Sequence, residues 1–276
     1  MSYFHKLDKG KILRTLCISP IITKSMKKNI FLEIEYLGTG YFGFQIQVHE
    51  SRSEVTVQGL IEKAIEKLFK QKVRIVYAGR TDRGVHAKGQ VVNFIVDTSI
   101  PLNNIKAALN TLLPLDIRIK RLKKVSLDFH ARFWAKSKLY EYVILNRDEP
   151  SVFDKDFSWH VAEKLDLDKM KKAAKKLTGK KDFVVFAKEA KRYKTCVRKI
   201  KEIRFKKKGN FIHIYIEADG FLRSMVRNIM AFLVRVGLGK IKLSDVGGII
   251  KGKLPYANKP APGSGLYLVK VNYEEV

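Results

Sequence analysis

Cysteine is scarce. The 276 residues hold only Cys17 and Cys196, and no CxxC pair. That excludes a disulfide scaffold and a cysteine-based zinc site. The six histidines show neither HxxH nor HxxxH spacing, so no metal-ligand pattern is read. No GxxxxGK[ST] occurs, which excludes a P-loop. No apolar run reaches the roughly 18 residues of a membrane-spanning helix. The chain therefore reads as soluble and cytoplasmic, with no membrane partner. Acidic residues are also few, 27 against 55 Lys plus Arg, for a formal net charge of +28. What is plentiful is apolar surface. Hydrophobic residues make up 46%, too many for a disordered chain and enough for one large domain or two small ones.

The positive charge favours acidic polymers as partners, because each neutralised phosphate releases counterions. It is unevenly spread. Lys164 to Lys208 holds 19 basic residues against 5 acidic ones, a net of +14. Lys171, Lys172, Lys175 and Lys176 recur at i, i+4 spacing, which crowds like charges on one helix side. A polyanion across that side would relieve the repulsion, and a solvated helix face is the plainer alternative. An interfacial membrane helix would need a large aromatic face, which is missing.

Residues 1–27 are basic and irregular. They read as a short N-terminal arm or as sequence ahead of a start at Met26, and Asp8 with little Arg argues against a transit peptide. From Asn29 the pattern sharpens. Strands are expected at Ile30–Tyr36, Val73–Tyr77, Gln90–Val96 and Ile117–Val125, and helices at 56–70 and Ile105–Leu113. The second half repeats the rhythm. Strands are expected at Leu139–Leu145, at a hairpin of Val197–Phe205 with Phe211–Glu217, and at Tyr267–Val271. Helices are expected at Leu167–Leu177 and Phe221–Val236, with a short one at Asp245–Ile250. The fold class read from this is α+β. Two β-α-β-β-α-β units, 28–127 and 128–276, would each form an antiparallel sheet with helices on one face, leaving a cleft between them.

One loop carries most of the chemistry: Ala78-Gly-Arg-Thr-Asp-Arg-Gly-Val-His-Ala-Lys-Gly-Gln90. It sets a single carboxylate, Asp82, between Arg80 and Arg83, with Thr81 and His86 nearby. Gly79 and Gly84 allow a tight backbone path. Two readings stand at this point. Asp82 could cap or pair locally in an exposed turn. Alternatively, its arginine neighbours keep it ionised as a nucleophile while they attract phosphate. A lone carboxylate argues against ordinary glycoside hydrolysis, which uses two. For His86, packing or a backbone hydrogen bond is the better reading than metal ligation.

The segment Gly79-Arg-Thr-Asp-Arg-Gly-Val-His-Ala87, followed by Gln90, closely resembles the active-site motif of the TruA family of tRNA pseudouridine synthases. Other segments resemble the same family in the same order: Tyr36-Leu-Gly-Thr-Gly-Tyr-Phe-Gly-Phe-Gln45 with Gln47, Val57-Gln58, Asp128-Phe-His-Ala-Arg-Phe133, Tyr140-Glu-Tyr142, Phe221 with Met225-Val-Arg-Asn228, and Ala261-Pro262 with Gly265-Leu-Tyr-Leu268. The resemblance covers about 28–273. The chain departs from it modestly, with Phe44 where many members have Trp.

The resemblance implies a catalytic set of Asp82, Tyr140 and Arg227. Asp82 would attack C6 of uracil or C1′ of ribose, the glycosidic bond would break, and C5 would rejoin C1′. No cofactor is implied. Arg80 would hold the flipped nucleotide, with Thr81, Arg83, His86, Gln90 and Gln45 around the substrate. Tyr140 would stack on the uracil, although Tyr142 shares its strand face. Arg227, inside an apolar helix, would need an anion, and Asp82 would supply it. Lys172, Lys176, Lys180 and Arg223 are the expected RNA contacts. The implied substrate is the tRNA anticodon arm at positions 38 to 40, bound across a homodimer. Two alternatives rest on charge and aromatic strands alone: a non-catalytic RNA-binding protein with two sheet modules, and a basic ribonucleoprotein component.

Overall fold

The structure, a computed structural model, describes residues 26–47, 55–257 and 259–274. The first strand, β1 (Met26–Tyr36), buries Ile30, Leu32 and Ile34 completely. Helix α1 (Val57–Phe69) starts where the Thr56 hydroxyl accepts the Gly59 N–H, and it buries Val57, Ile61, Ala64 and Ile65 at helical spacing. A two-residue β2 (Val76–Tyr77) and a long β3 (His86–Thr98) follow. Helix α2 (Leu102–Leu112) ends just before Pro114, and β4 (Ile117–Val125) completes the first half.

The second half opens with β5 (Ser137–Asn146) and a short β6 (Trp159–Val161). Asp166 caps α3 (Leu167–Leu177) by accepting the Lys169 N–H at 2.9 Å. The helix buries Met170, Ala173, Ala174 and Leu177 and turns its lysines outward. Next come β7 (Gly179–Asp182) and the hairpin of β8 (Val197–Lys208) and β9 (Phe211–Ala218). Helix α4 (Met225–Gly237) is buried almost all round, as its nearly unbroken apolar sequence demands. A short α5 (Val246–Ile250) and the closing strand β10 (Leu266–Asn272) end the chain.

The α+β architecture of two similar units is observed, with one correction. The strands do not form two separate sheets. They join in one ten-stranded sheet of order β4-β1-β3-β10-β5-β9-β8-β7, with β2 beside β3 and β6 beside β5. The last strand makes the join. β10 runs parallel to β3, placing Tyr267 opposite His86, and antiparallel to β5, placing Leu268 opposite Tyr140. It therefore sets the residues after Asp82 and the strand of Tyr140 one strand apart.

Element bounds differ in three informative places. β1 begins at Met26, so 26–27 belong to the sheet; residues 1–25 of the expected arm lie outside the described residues. β3 begins at His86, because pairing with β1 and β10 draws His86 to Gly89 into the ladder. α4 begins at Met225. The preceding Ser224 has a left-handed φ of 57°, which breaks the helical path that apolar spacing alone extends to Phe221.

Candidate active site

The loop between β2 and β3 is held from below before it presents anything. Gln90, fully buried on β3, donates from Nε2 to the Gly79 carbonyl at 2.7 Å. The Thr81 hydroxyl meets the Tyr36 hydroxyl at 2.8 Å. Burial pushes the Tyr36 hydroxyl up to about 12, although bonds to Thr81 and Gln90 pull the other way. The Phe44 N–H donates to the Thr81 carbonyl at 3.1 Å. Here the first glycine-rich loop leans directly on the second: a Cβ on Gly43 (φ 88°) would lie 2.9 Å from that same carbonyl oxygen. Gln58, at the start of α1, braces the first loop by accepting the Ile46 N–H and donating its own N–H to the Phe44 carbonyl.

The site residues expected from sequence fall into three groups. Thr81, Gln90 and His86 are buried supports. His86 is 1% exposed. Its Nδ1 accepts the Gly38 N–H at 3.1 Å, so Nε2 carries the proton toward the carbonyls of Asp156 and Ser264. Burial lowers its pKa and keeps it neutral, and it stacks on Tyr267 at 4.7 Å. It pins three segments together and is closed off from solvent. Gln45 is half-buried on the first loop, beside a Phe44 that is wholly enclosed by Tyr36 and Tyr77. Phe44 therefore packs against protein.

Arg80 and Arg83 are exposed. Arg80 Nε reaches the Tyr77 hydroxyl at 3.3 Å, and the Arg83 guanidinium lies 4.3 Å above the Phe42 ring. Lys172 and Lys176 stand on the outer face of α3, and Lys180 is exposed on β7. Arg223 precedes α4 and is engaged by Glu189 at 2.6 Å.

The third group converges on Asp82. Arg227 Nη1 donates to Asp82 Oδ2 at 2.8 Å, and Arg227 Nε donates to the Ala261 carbonyl at 2.6 Å. The Ser224 hydroxyl donates to the same Oδ2 at 3.0 Å. Asp82 Oδ1 has no hydrogen bond among the described residues. The N-terminal end of α4 thus supplies both donors, in a region where a helix favours negative charge. The Tyr142 hydroxyl, on a fully buried ring, donates to the Pro262 carbonyl at 2.9 Å. Tyr140 packs edge-on against Phe221 at 5.1 Å, and its hydroxyl makes no hydrogen bond among the described residues. Burial raises its pKa well above the ordinary phenol value, with Tyr36 and Asp82 adding to the rise, so it stays protonated. Of the two tyrosines sharing a strand face, Tyr140 is the one whose hydroxyl faces the carboxylate's surroundings uncommitted.

Ser224 is not among the residues expected from sequence. Its place three residues before Arg227 is the one trace in the sequence, since a helix starting at Phe221 would put the two on one side; in the structure Ser224 stands just ahead of α4 with a left-handed φ. The anchoring carbonyl of Ala261 gave no signal, because any residue carries one. Among the described residues no cluster of three His, Cys, Asp or Glu is placed to hold a metal ion, and no helix is long and apolar enough to cross a membrane.

A family model described as "tRNA pseudouridine synthase" matches residues 33–134 and 173–274. The chain is 44% identical over 247 residues to "tRNA pseudouridine synthase A 2" of Clostridium perfringens. It is 43% identical over the same length to "tRNA pseudouridine synthase A" of Acetivibrio thermocellus, and 42% identical to the protein of that name from Thermoanaerobacter sp.. Each alignment covers 89% of this chain and 100% of the relative. With relatives matched along their whole length at this identity, the chain belongs to the TruA family of tRNA pseudouridine synthases, isomerases that convert uridine to pseudouridine in tRNA.

Proposed function

We propose that Asp82 is the nucleophile of this isomerisation and that the substrate uridines lie in the tRNA anticodon arm, at positions 38 to 40. The observation that carries the reading is the asymmetry of one carboxylate. Oδ2 is fixed by Arg227 and Ser224, while Oδ1 is left without a partner among the described residues, and the charge of Asp82 is felt at the Tyr140 hydroxyl. A carboxylate held in this way is oriented for attack and cannot rotate freely.

The target base must first leave its stack, at a cost of a few kcal/mol. Arg80, exposed on the same loop, takes the vacated space, and its planar cation can stack on bases or bind phosphate. Asp82 Oδ1 bonds to C6 of uracil or C1′ of ribose, and the N1–C1′ bond breaks. The uracil turns, and C5 bonds to C1′. C5 then loses its proton, N1 gains one, and the aspartate is released. Nothing is oxidised or reduced. Tyr140 stacks on the uracil, and its protonated hydroxyl guides the C5 proton transfer. Arg227 and Ser224 position Asp82; Thr81, Gln90 and His86 hold its loop.

The reading extends to the whole chain. We infer two domains, 28–127 and 128–276, a homodimer, and a cytoplasmic location. The anticodon arm would run past Lys172, Lys176 and Lys180, which sit exposed on α3 and β7. A non-catalytic RNA-binding module would have no use for the Asp82–Arg227–Ser224 arrangement.

The direct test is pseudouridine formation on an unmodified tRNA transcript, mapped by site, with wild type and Asp82→Ala compared. Product in the anticodon arm from wild type alone is the expected result. Full activity of Asp82→Ala would remove the nucleophile from the account. Reversing Lys172, Lys176 and Lys180 to Glu should weaken tRNA binding and flatten its salt dependence by about 0.7–0.9 per lost phosphate contact. An unchanged slope would make these lysines a solvated face.

A further inference from the structure

Lys138 stands two residues before Tyr140 on β5, so both side chains rise from the same face of the sheet. Its stem lies against the backbone that leads to Asp82. A Cβ added to Gly79 would be 3.5 Å from Lys138 Cε and 3.9 Å from Nζ. The ammonium forms no hydrogen bond or ion pair among the described residues. The charges around it are Arg132 from the turn before β5, Arg198 from β8 and Asp219 after β9. Two of the three repel it. The third, Asp219, already accepts the Lys199 N–H at 2.9 Å.

The same neighbourhood continues toward Tyr140. Arg198 Nε would be 3.5 Å from a Cβ on Gly220. The next residue, Phe221, packs edge-on against Tyr140. Two cations therefore lie against two glycines, Gly79 and Gly220, one flanking the Asp82 loop and one flanking the Tyr140 wall. A lysine largely withdrawn from water without a counter-charge is unfavourable. Burial is the main cause of its pKa falling to about 8, and Arg132 and Arg198 add to the fall. An anionic ligand would remove that imbalance.

We propose that Lys138, together with Arg198, binds a phosphodiester of the RNA strand adjacent to the target nucleotide. This rests on the surroundings of Asp82 being the uridine site. Base extrusion swings the flanking backbone, and a fixed phosphate gives that rotation an anchor. Lys138 is then a positioning residue: it holds the strand while Arg80 and Asp82 meet the extruded nucleotide.

The test is equilibrium binding of full-length tRNA transcripts in an Asp82→Asn background, so that the substrate is not consumed. Transcripts carry one neutral methylphosphonate linkage, placed in turn on either side of the target uridine. Lys138→Met should weaken binding of the native transcript about tenfold, and Lys138→Arg should restore most of the loss. One methylphosphonate position should weaken binding to the Lys138 protein by a similar factor and have no further effect on Lys138→Met. Unchanged affinity of the Met variant, or losses that add at every position, would overturn the proposal. Lys138→Met should melt at or above the Lys138 protein's temperature at neutral pH, because it removes an unpaired, largely buried charge. A clear fall in melting temperature would make the lysine structural and would also overturn it. If the phosphate coupling holds while wild type forms no pseudouridine, the phosphate site stands and the reading of Asp82 falls.

Discussion

Two carboxylates of this fold, Glu141 and Asp82, are treated differently. Glu141 follows Tyr140 on β5 and points to the opposite face of the sheet. It is 4% exposed, and both its oxygens are occupied. His213 and the Tyr215 hydroxyl bond Oε1 at 2.8 and 2.9 Å, and Lys88 bonds Oε2 at 2.7 Å. Asp82 is more open and, among the described residues, has donors on one oxygen only. The difference separates a carboxylate that ties β3, β5 and β9 together from one prepared to form a bond. Ion pairing alone does not separate them, since each has a basic partner within 3 Å. The free lone pair does.

If that distinction holds, conservative amides at the two positions should fail in opposite ways. Asp82→Asn keeps the size of the side chain and loses the nucleophile. It should lower kcat on a tRNA transcript by about 10⁴-fold or more, with the melting temperature close to wild type. Glu141→Gln should leave kcat within a few-fold. It should cost about 1–3 kcal/mol of stability, because three donors are left with a poorer acceptor. Single-turnover kinetics and thermal melts on both variants decide the matter. An inactive Glu141→Gln of normal stability would break the comparison.

Ser224 gives the next smaller effect. A hydrogen bond to a charged group is worth about 1.5–3 kcal/mol, so Ser224→Ala should lower kcat by roughly 10- to 150-fold. The effect should fall on kcat and spare KM, since Ser224 orients Asp82 and does not contact RNA in the proposed mechanism. Ser224→Thr keeps the hydroxyl and should recover part of the loss. A pure KM effect would place Ser224 among the RNA contacts instead.

Why Ser224 escaped the sequence reading, when Asp82 did not, is a matter of what a one-dimensional pattern records. The helical faces of α1 and α3 follow directly from 3.6-residue spacing of apolar side chains. The Asp82 loop stands out because a carboxylate between two arginines is unusual in a turn. The union of two sheets through β10 leaves no such trace. Pairing between Tyr267 and His86 joins positions 181 residues apart, and no local periodicity encodes it. The start of α4 at Met225 departs from the apolar spacing for a related reason. Phe221 and Leu222 fit the apolar spacing, but the left-handed Ser224 diverts the backbone there, and it is this turn that brings the Ser224 hydroxyl to Asp82. Tyr140 and Tyr142 share a face and a residue type. Only the Pro262 carbonyl, brought in by the loop before β10, tells them apart.

The acid limb of stability offers the finest probe of the two carboxylates. Burial pushes the Glu141 carboxyl up, but the bonds from Lys88, His213 and Tyr215 outweigh it and hold it below its ordinary value of 4.5. A carboxylate with a lowered pKa in the folded state adds stability in full above its unfolded value. That stability is lost as pH falls through the folded value. Above about pH 5, the stability difference between wild type and Glu141→Gln should therefore be constant. Below 4.5 it should shrink, because wild type must protonate a group it holds ionised and the amide has nothing to protonate. Urea unfolding of both proteins between pH 3 and 7 measures the difference directly. Two parallel curves would show that Glu141 is no more strongly held than an exposed acid, and the contrast with Asp82 would then rest on position alone.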